Sequence, residues 1–164
     1  MNAKMPELKA AFEDAGFTDV ATVIASGNVV FRARSSSAAA LEKRAEKAME
    51  ARLGRSFLTI VRATDELEKL LAADAYASFD LPAESKRVVT FLKEPAQARL
   101  ALPLERDGAS ILLATPTEVY SAYVPSPQGA SFMKVIEDAY GADQTTRTWG
   151  TIQKCVKKLL EGGR

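Results

Sequence analysis

Apolar positions along the chain alternate between two spacings. In Met5 to Gly16, Leu8, Phe12 and Ala15 recur four and three residues apart, so this segment predicts a helix with one apolar face. Pro6 suits its first turn, where a missing N–H costs nothing, and Gly16 can close it in the left-handed conformation. Two β-branched runs follow, Phe17 to Ala25 and Val29 to Ala33, and predict an antiparallel hairpin around Ser26-Gly27-Asn28. With Gly27 and Asn28 as the two loop residues, Ser26 pairs with Val29 and Ile24 with Phe31. Val20, Ile24, Val29 and Phe31 then share the core face. Residues 35–54 predict a surface helix with Ser caps, a shallow stripe of Leu41, Ala45, Ala48 and Leu53, and a closing Gly54. A strand over 57–61, Phe-Leu-Thr-Ile-Val, and a helix starting near Thr64 complete an αββαβα order.

Periodicity breaks at residues 77–86, where Pro, Ser and alternating charges mark a linker. Beyond it the pattern predicts a strand over 87–93, a short helix over 94–102 entered through Pro95, and two strands joined around Thr115-Pro116-Thr117. A helix closed by Gly141 comes next, then a last helix with Trp149, Ile152, Val156 and Leu159 on one face. The two halves repeat nearly the same order. We therefore expect an α+β fold of two ferredoxin-like (split β-α-β) units, with antiparallel sheets and helices packed on one face: 1–80 as the first unit and 81–164 as the second with the C-terminal helix, with one compact domain as the alternative. The first unit lacks its first strand, because Met1 to Met5 is too short and polar to supply one. An edge left open by that strand would invite pairing with another chain, so a homodimer through an exposed sheet edge is expected.

Composition narrows the chemistry. With 22 Lys and Arg against 21 Asp and Glu, the formal charge is +1, which gives no general field to attract a polyanion. There is no histidine and one cysteine, Cys155, so the common His/Cys zinc sites and every histidine-based triad are excluded. We expect no cofactor, no metal site and no catalytic constellation. Cys155 falls in a helical pattern beside Val156 and Leu159 and reads as a structural thiol. The N-terminal stretch has no signal-peptide core and no run approaches ~18 apolar residues, so the expectation is a cytoplasmic protein without membrane association.

The stretch K-M-P-E-L-K-A-A-F-E-D-A-G-F-T-D-V-A-T-V-I-A-S-G-N-V-V-F, residues 4–31, closely resembles the signature of the bacterial domain of unknown function 1697 family. The later strands and T-R-T-W-G-T-I-Q-K resemble that family's second half in order and spacing. The resemblance implies a pair of ferredoxin-like units and no established biochemical activity. It also implies a first strand and a glycine-rich turn that do not precede Met1 here. Family members commonly carry G-R-S-K before the penultimate helix and R-N-W-N-T before the last; this chain has Gly129-Ala130-Ser131-Phe132 and Arg147-Thr148-Trp149-Gly150-Thr151. If those polar groups form a ligand site in the family, Ser131, Arg147 and Thr151 are what this chain keeps of it.

Five residues thus become candidates for ligand binding: Asn28, Ser131, Arg147, Trp149 and Thr151. Arg147 and Trp149, near the start of the last helix, can hold an anion, since a guanidinium fork matches carboxylate or phosphate; the plainer reading makes Trp149 a core anchor. Ser26-Gly27-Asn28 reads first as a tight turn, with Asn28 the residue in it worth testing for function. Tyr120 and Tyr123 fall on opposite faces of one strand and read as core. Glu105, Asp107 and Glu118 read as solvated loop charges. The leading expectation is an uncharacterised non-catalytic domain that binds a small anionic ligand or a protein partner. An RNA- or nucleotide-binding protein using Arg147, Trp149, Lys154, Lys157 and Lys158 is the alternative. A transferase or hydrolase using Ser131 with Lys134, which meet three residues apart on a helix, is a third.

Overall fold

The computed structural model describes residues 3–24, 27–97, 100–127 and 131–162. Among them are five helices and seven strands in a mixed α+β arrangement with two antiparallel sheets, as expected. The chain divides into two units, one formed by residues up to Lys69 together with those from Gly150, the other by Leu70–Trp149.

The first unit contains α1 (Met5–Asp14), β1 (Thr18–Val23), β2 (Asn28–Arg32) and α2 (Ala38–Leu53). Leu8, Ala11 and Phe12 of α1, Phe17, Val20 of β1, and Ala45 and Met49 of α2 form one buried cluster, with Val29, Phe31 and Phe57 packed against it. Phe17 stacks on Phe31 at 4.2 Å, and Phe12 meets both rings at 5.8 and 5.6 Å. Gly16 takes φ +91° after α1, and a Cβ there would lie 3.2 Å from Nη2 of Arg44. That guanidinium donates to the Ala15 carbonyl at 2.7 Å and lies over the Phe17 ring. The turn therefore needs glycine for its conformation, while a Cβ would only press on the end of the Arg44 side chain. Ser37 caps α2 by accepting from the Ala40 N–H, and Gly54 closes it at φ +78°.

The hairpin differs from the sequence reading in register. Val23 pairs with Asn28, Thr22 with Val29 and Ala21 with Val30, which puts Ile24 and Gly27 outside the ladder. The cause is local: the Asn28 side-chain amide donates to the Val23 carbonyl at 3.0 Å, so Asn28 closes the ladder instead of sitting in the turn. Ser26 lies outside the described residues. Val20, Val29 and Phe31 reach the core as expected, but Ile24 is 46% exposed and takes φ +59°, a strained conformation for a β-branched residue.

The expected strand over 57–61 forms no ladder. The Thr59 N–H donates to the Glu46 carboxylate at 3.1 Å and the Val61 N–H to that of Glu42 at 2.9 Å. Glu42 is 5% exposed, a buried acid on a helix whose buried side was expected to be apolar. α3 (Thr64–Ala73) follows; its Glu66 carboxylate reaches back to the Ala63 N–H at 3.1 Å, so Ala63, not Thr64, is the capped position. α5 (Trp149–Gly162) buries Ile152 and Val156 and leaves Lys154, Lys157 and Lys158 exposed.

The second unit is built on β3 (Lys86–Leu92), β4 (Leu104–Arg106), β5 (Ala109–Ala114), β6 (Glu118–Tyr123) and β7 (Gln144–Thr148). They form one sheet in the order β4-β5-β6-β3-β7, antiparallel throughout. α4 (Ser131–Tyr140), closed by Gly141 at φ +96°, packs Phe132 and Ile136 against Val88, Ala109, Ile111 and Val119. The short helix expected over 94–102 is absent among the described residues there. Instead the Ala96 N–H donates to the Pro116 carbonyl at 2.8 Å, which holds the segment against the β5–β6 turn. β7 was not foreseen: its Thr-rich sequence has strand propensity but no apolar alternation. It pairs with β3 from Val88↔Thr148 to Leu92↔Gln144.

Candidate functional site

Alternation along β3 sorts the second unit's polar groups onto two faces. Val88 and Thr90 face α4, together with their partners Ser121 and Val119 in β6 and Thr148 and Thr146 in β7. Thr90 and Thr146 share a hydroxyl hydrogen bond of 2.8 Å, whereas the buried Ser121 hydroxyl has no partner. Arg87, Val89 and Phe91 face the other way, with Ala122, Tyr120 and Glu118 of β6 and with Arg147 and Thr145 of β7.

Tyr76 organises that second face. The loop after α3 turns on Asp74, whose carboxylate accepts the Tyr76 N–H at 3.2 Å, and this directs the ring inward until it is 1% exposed. Its hydroxyl donates to the Val88 carbonyl. Trp149 and Tyr120 meet the ring edge-on at 5.2 and 6.0 Å, and the Arg87 guanidinium lies 5.7 Å from its centroid. Burial pushes the Tyr76 hydroxyl well above the ordinary tyrosine range, an effect partly offset by the Ser121 backbone N–H. Burial, then the nearby Glu118 carboxylate, pushes Tyr120 up to about 12. Both phenols stay protonated and serve as packing groups with a polar end.

The candidate residues distribute as follows. Arg147 lies in β7, two residues before α5 begins, and its Nη1 donates to the Thr145 hydroxyl and to the Thr146 carbonyl at 2.9 Å. Trp149 opens α5 with its ring against Tyr76, which is the anchor role. Ser131 opens α4 and donates to the Asp107 carboxylate at 3.0 Å, so Asp107 is a bonded partner and not a loose loop charge. Glu118 likewise accepts from the hydroxyls of Thr115 and Thr117 at 3.1 and 2.8 Å. Asp107 sits at the β4–β5 turn on one edge of the sheet and Arg147 on the other edge strand. Three to four strand spacings of about 4.8 Å put them roughly 14–19 Å apart across the sheet, too far for one small ligand to touch both. Asn28 and Thr151 belong to the first unit. Gly129 and Ala130, which precede Ser131, lie outside the described residues.

The Ser131/Lys134 pairing fares no better. The Lys134 ammonium donates to Asp138 at 2.6 Å, one helical turn on. That hydrogen bond, with the Asp138 charge, holds its pKa above the usual lysine value. A lysine acting as general base near neutral pH needs the opposite shift. Among the described residues, no group of three or more His, Cys, Asp or Glu side chains is placed to hold a metal ion, and no helix is long and apolar enough to cross a membrane.

A different feature stands out in the first unit. In an extended segment, N–H groups two residues apart point to the same side. Glu42 and Glu46, one helical turn apart on α2, take the donors of Val61 and Thr59 along one edge of residues 57–61. The other edge carries the N–H and C=O groups of Leu58 and Ile60, and no described residue bonds them. The sequence pattern marks 57–61 as a strand and gives no sign of the carboxylates beyond the i, i+4 pair Glu42 and Glu46 on what is predicted as a surface helix.

A family described as "Protein of unknown function (DUF1697)" matches residues 1–120. The chain belongs to the DUF1697 family. The matched span holds Asn28 and the 57–61 segment, while Ser131, Arg147, Trp149 and Thr151 lie beyond it. Among solved structures, the conserved bacterial protein SP0830 from Streptococcus pneumoniae is similar, with a TM-score of 0.67 at 18% identity, over 97% of this chain and 90% of that one. At that identity the likeness is one of fold and fits an α+β architecture. No curated protein matches the chain. Membership of DUF1697 brings no activity with it, so function has to be argued from the geometry.

Proposed function

We propose that this DUF1697 protein is a non-catalytic interaction domain that binds a protein partner by adding a strand to residues 57–61. The observation that carries the reading is the open edge at Leu58 and Ile60: main-chain donors and acceptors on an extended apolar segment, with Leu58 46% exposed, are the groups that strand addition uses. The engagement of Ser131 by Asp107 and of Lys134 by Asp138 weighs on the same side. The strand order of the second unit, with α4 on one face, supports the reading of a split β-α-β unit there. A single half-buried thiol, with no second cysteine to pair with, suits a reducing compartment such as the cytoplasm.

Residue-resolved amide exchange in dilute solution tests the proposal. Leu58 and Ile60 are expected to exchange as freely as open loops, while Val89 and Thr90 in the central strand are strongly protected. Protection of Leu58 and Ile60 in the isolated monomer would refute it.

A nucleic-acid reading keeps one specific support, the exposed row Lys154, Lys157 and Lys158 on α5. It requires affinity for single-stranded RNA that falls steeply with salt and is reduced by Lys157→Ala. Binding insensitive to salt, or none, rules it out. For a small anionic ligand, Arg147 is the group to test, by thermal shift with phosphate and carboxylates on wild type and Arg147→Ala.

A further inference from the structure

We infer that the partner of the 57–61 edge is a second copy of this chain, paired antiparallel about a two-fold axis at Thr59. This rests on the strand-addition reading and names its occupant. The open groups belong to Leu58 and Ile60, which flank Thr59 symmetrically. Around an axis at Thr59, Leu58 of one copy faces Ile60 of the other. Both residues point their N–H and C=O to the open side, so each facing pair exchanges two hydrogen bonds, four in all. Thr59 then faces its own copy in the non-hydrogen-bonded position, and its N–H stays with Glu46 on the far edge.

Side chains and charges agree with this register. Leu58, 46% exposed, comes to lie beside the other copy's Ile60, and the two threonines make a β-branched cross-strand pair. Among the flanking cations, Arg62 falls opposite Ser56 and Arg55 opposite Ala63, so no like charges face each other. Arg55 already lies over its own Phe57 ring at 5.0 Å. The formal charge of +1 leaves no long-range repulsion between copies, whereas a strongly charged peptide would gain nothing here from steering. The interface is isologous and closes on itself, which ends assembly at the dimer.

The test is sedimentation equilibrium of the full chain over about 1 μM to 1 mM. Wild type is expected to dimerise with concentration, and Leu58 and Ile60 amides to gain protection as it does. Thr59→Lys and Thr59→Glu each place like charges face to face on the axis, and each is expected to weaken the dimer by about tenfold or more. Mixing the two variants is expected to restore dimerisation, a rescue that misfolding or a different interface would not give; circular dichroism confirms that each variant is folded. A monomer throughout the range, a dimer indifferent to both variants, or a mixture that fails to re-form overturns the inference. If wild type stays monomeric, its Leu58 and Ile60 amides exchange freely, and a neutral Thr/Val/Ile-rich peptide protects them, strand addition stands and only the second copy is wrong. If those amides are protected in the monomer, both readings fall.

Discussion

The two units solve one problem, the pairing of extended backbone, in different ways. In the second, β3 has a strand on each side, and its central residues Val89 and Thr90 are fully buried. In the first, β1 and β2 pair only with each other among the described residues, and residues 57–61 are held by helix carboxylates. A strand offers donors and acceptors alternately, but a carboxylate only accepts. Glu42 and Glu46 can therefore satisfy the N–H groups of Val61 and Thr59 and none of the carbonyls; the Val61 carbonyl takes a hydrogen bond from the Arg62 guanidinium at 3.1 Å instead. The contrast teaches that side-chain carboxylates can hold backbone N–H groups on one side of a segment while the main-chain groups of Leu58 and Ile60 bond no described residue.

Removing the carboxylate should break that arrangement with the largest effect. Glu42→Ala takes away a buried, charge-assisted acceptor and leaves the Val61 N–H without one, so a loss of about 2–3 kcal/mol is expected in urea unfolding. Wild-type stability in this variant would mean that the carboxylate does not anchor the segment. The matching change in the second unit is milder. Tyr76→Phe keeps the ring against Trp149 and Tyr120 and removes only the hydroxyl bond to the Val88 carbonyl, which predicts about 1–1.5 kcal/mol. A loss as large as that of Glu42→Ala would place the weight of the cluster on the hydroxyl instead of the ring.

A third change should move stability upward. The Ser121 hydroxyl is buried without a partner on the α4 side of the sheet, between Val88 of β3 and Ile111 of β5. Ser121→Ala removes an unsatisfied polar group at almost no cost in volume, so a gain of about 0.5–1 kcal/mol is expected in the same assay. A loss instead would show that the hydroxyl is hydrogen-bonded in solution.

Helices were the most legible part of the chain. Ser37, Gly54 and Gly141 bracket α2 and α4 as read, because caps are local chemistry. Strands were read by apolar alternation, which found β1, β2, β3, β5 and β6 but missed the three-residue β4 and also β7, whose pairing with β3 is not encoded in its own polar residues. Alternation marked 57–61 as a strand, but it forms no ladder, and its sequence could not say that its neighbours are glutamates, since pairing depends on what is nearby in space. Ile24 failed for a related reason: the Asn28 side chain, not the Gly27-Asn28 turn preference, sets the register and leaves Ile24 in the loop. Of the candidate site, the identities of Arg147 and Trp149 were legible, but their engagement with Thr145, Thr146 and Tyr76 was not, because those contacts cross elements.

The smallest effect concerns how the first unit's helices are pinned together. Asp14, at the end of α1, accepts from the Arg52 guanidinium of α2 at 2.6 and 3.3 Å, and Glu7 adds a second carboxylate at 3.5 Å. The Arg52 hydrogen bond holds the Asp14 carboxyl below its usual range. A depressed acid contributes stability above its unfolded pKa, near 4, and loses it as pH falls through the lower folded value. The pair is solvent-exposed, so its effect is modest and screened by salt. Asp14→Asn is therefore expected to melt slightly below wild type at pH 7, with the difference closing as pH falls below about 4 and shrinking in high salt. A difference that persists at acid pH would mean that Asp14 holds α1 through something other than its charge.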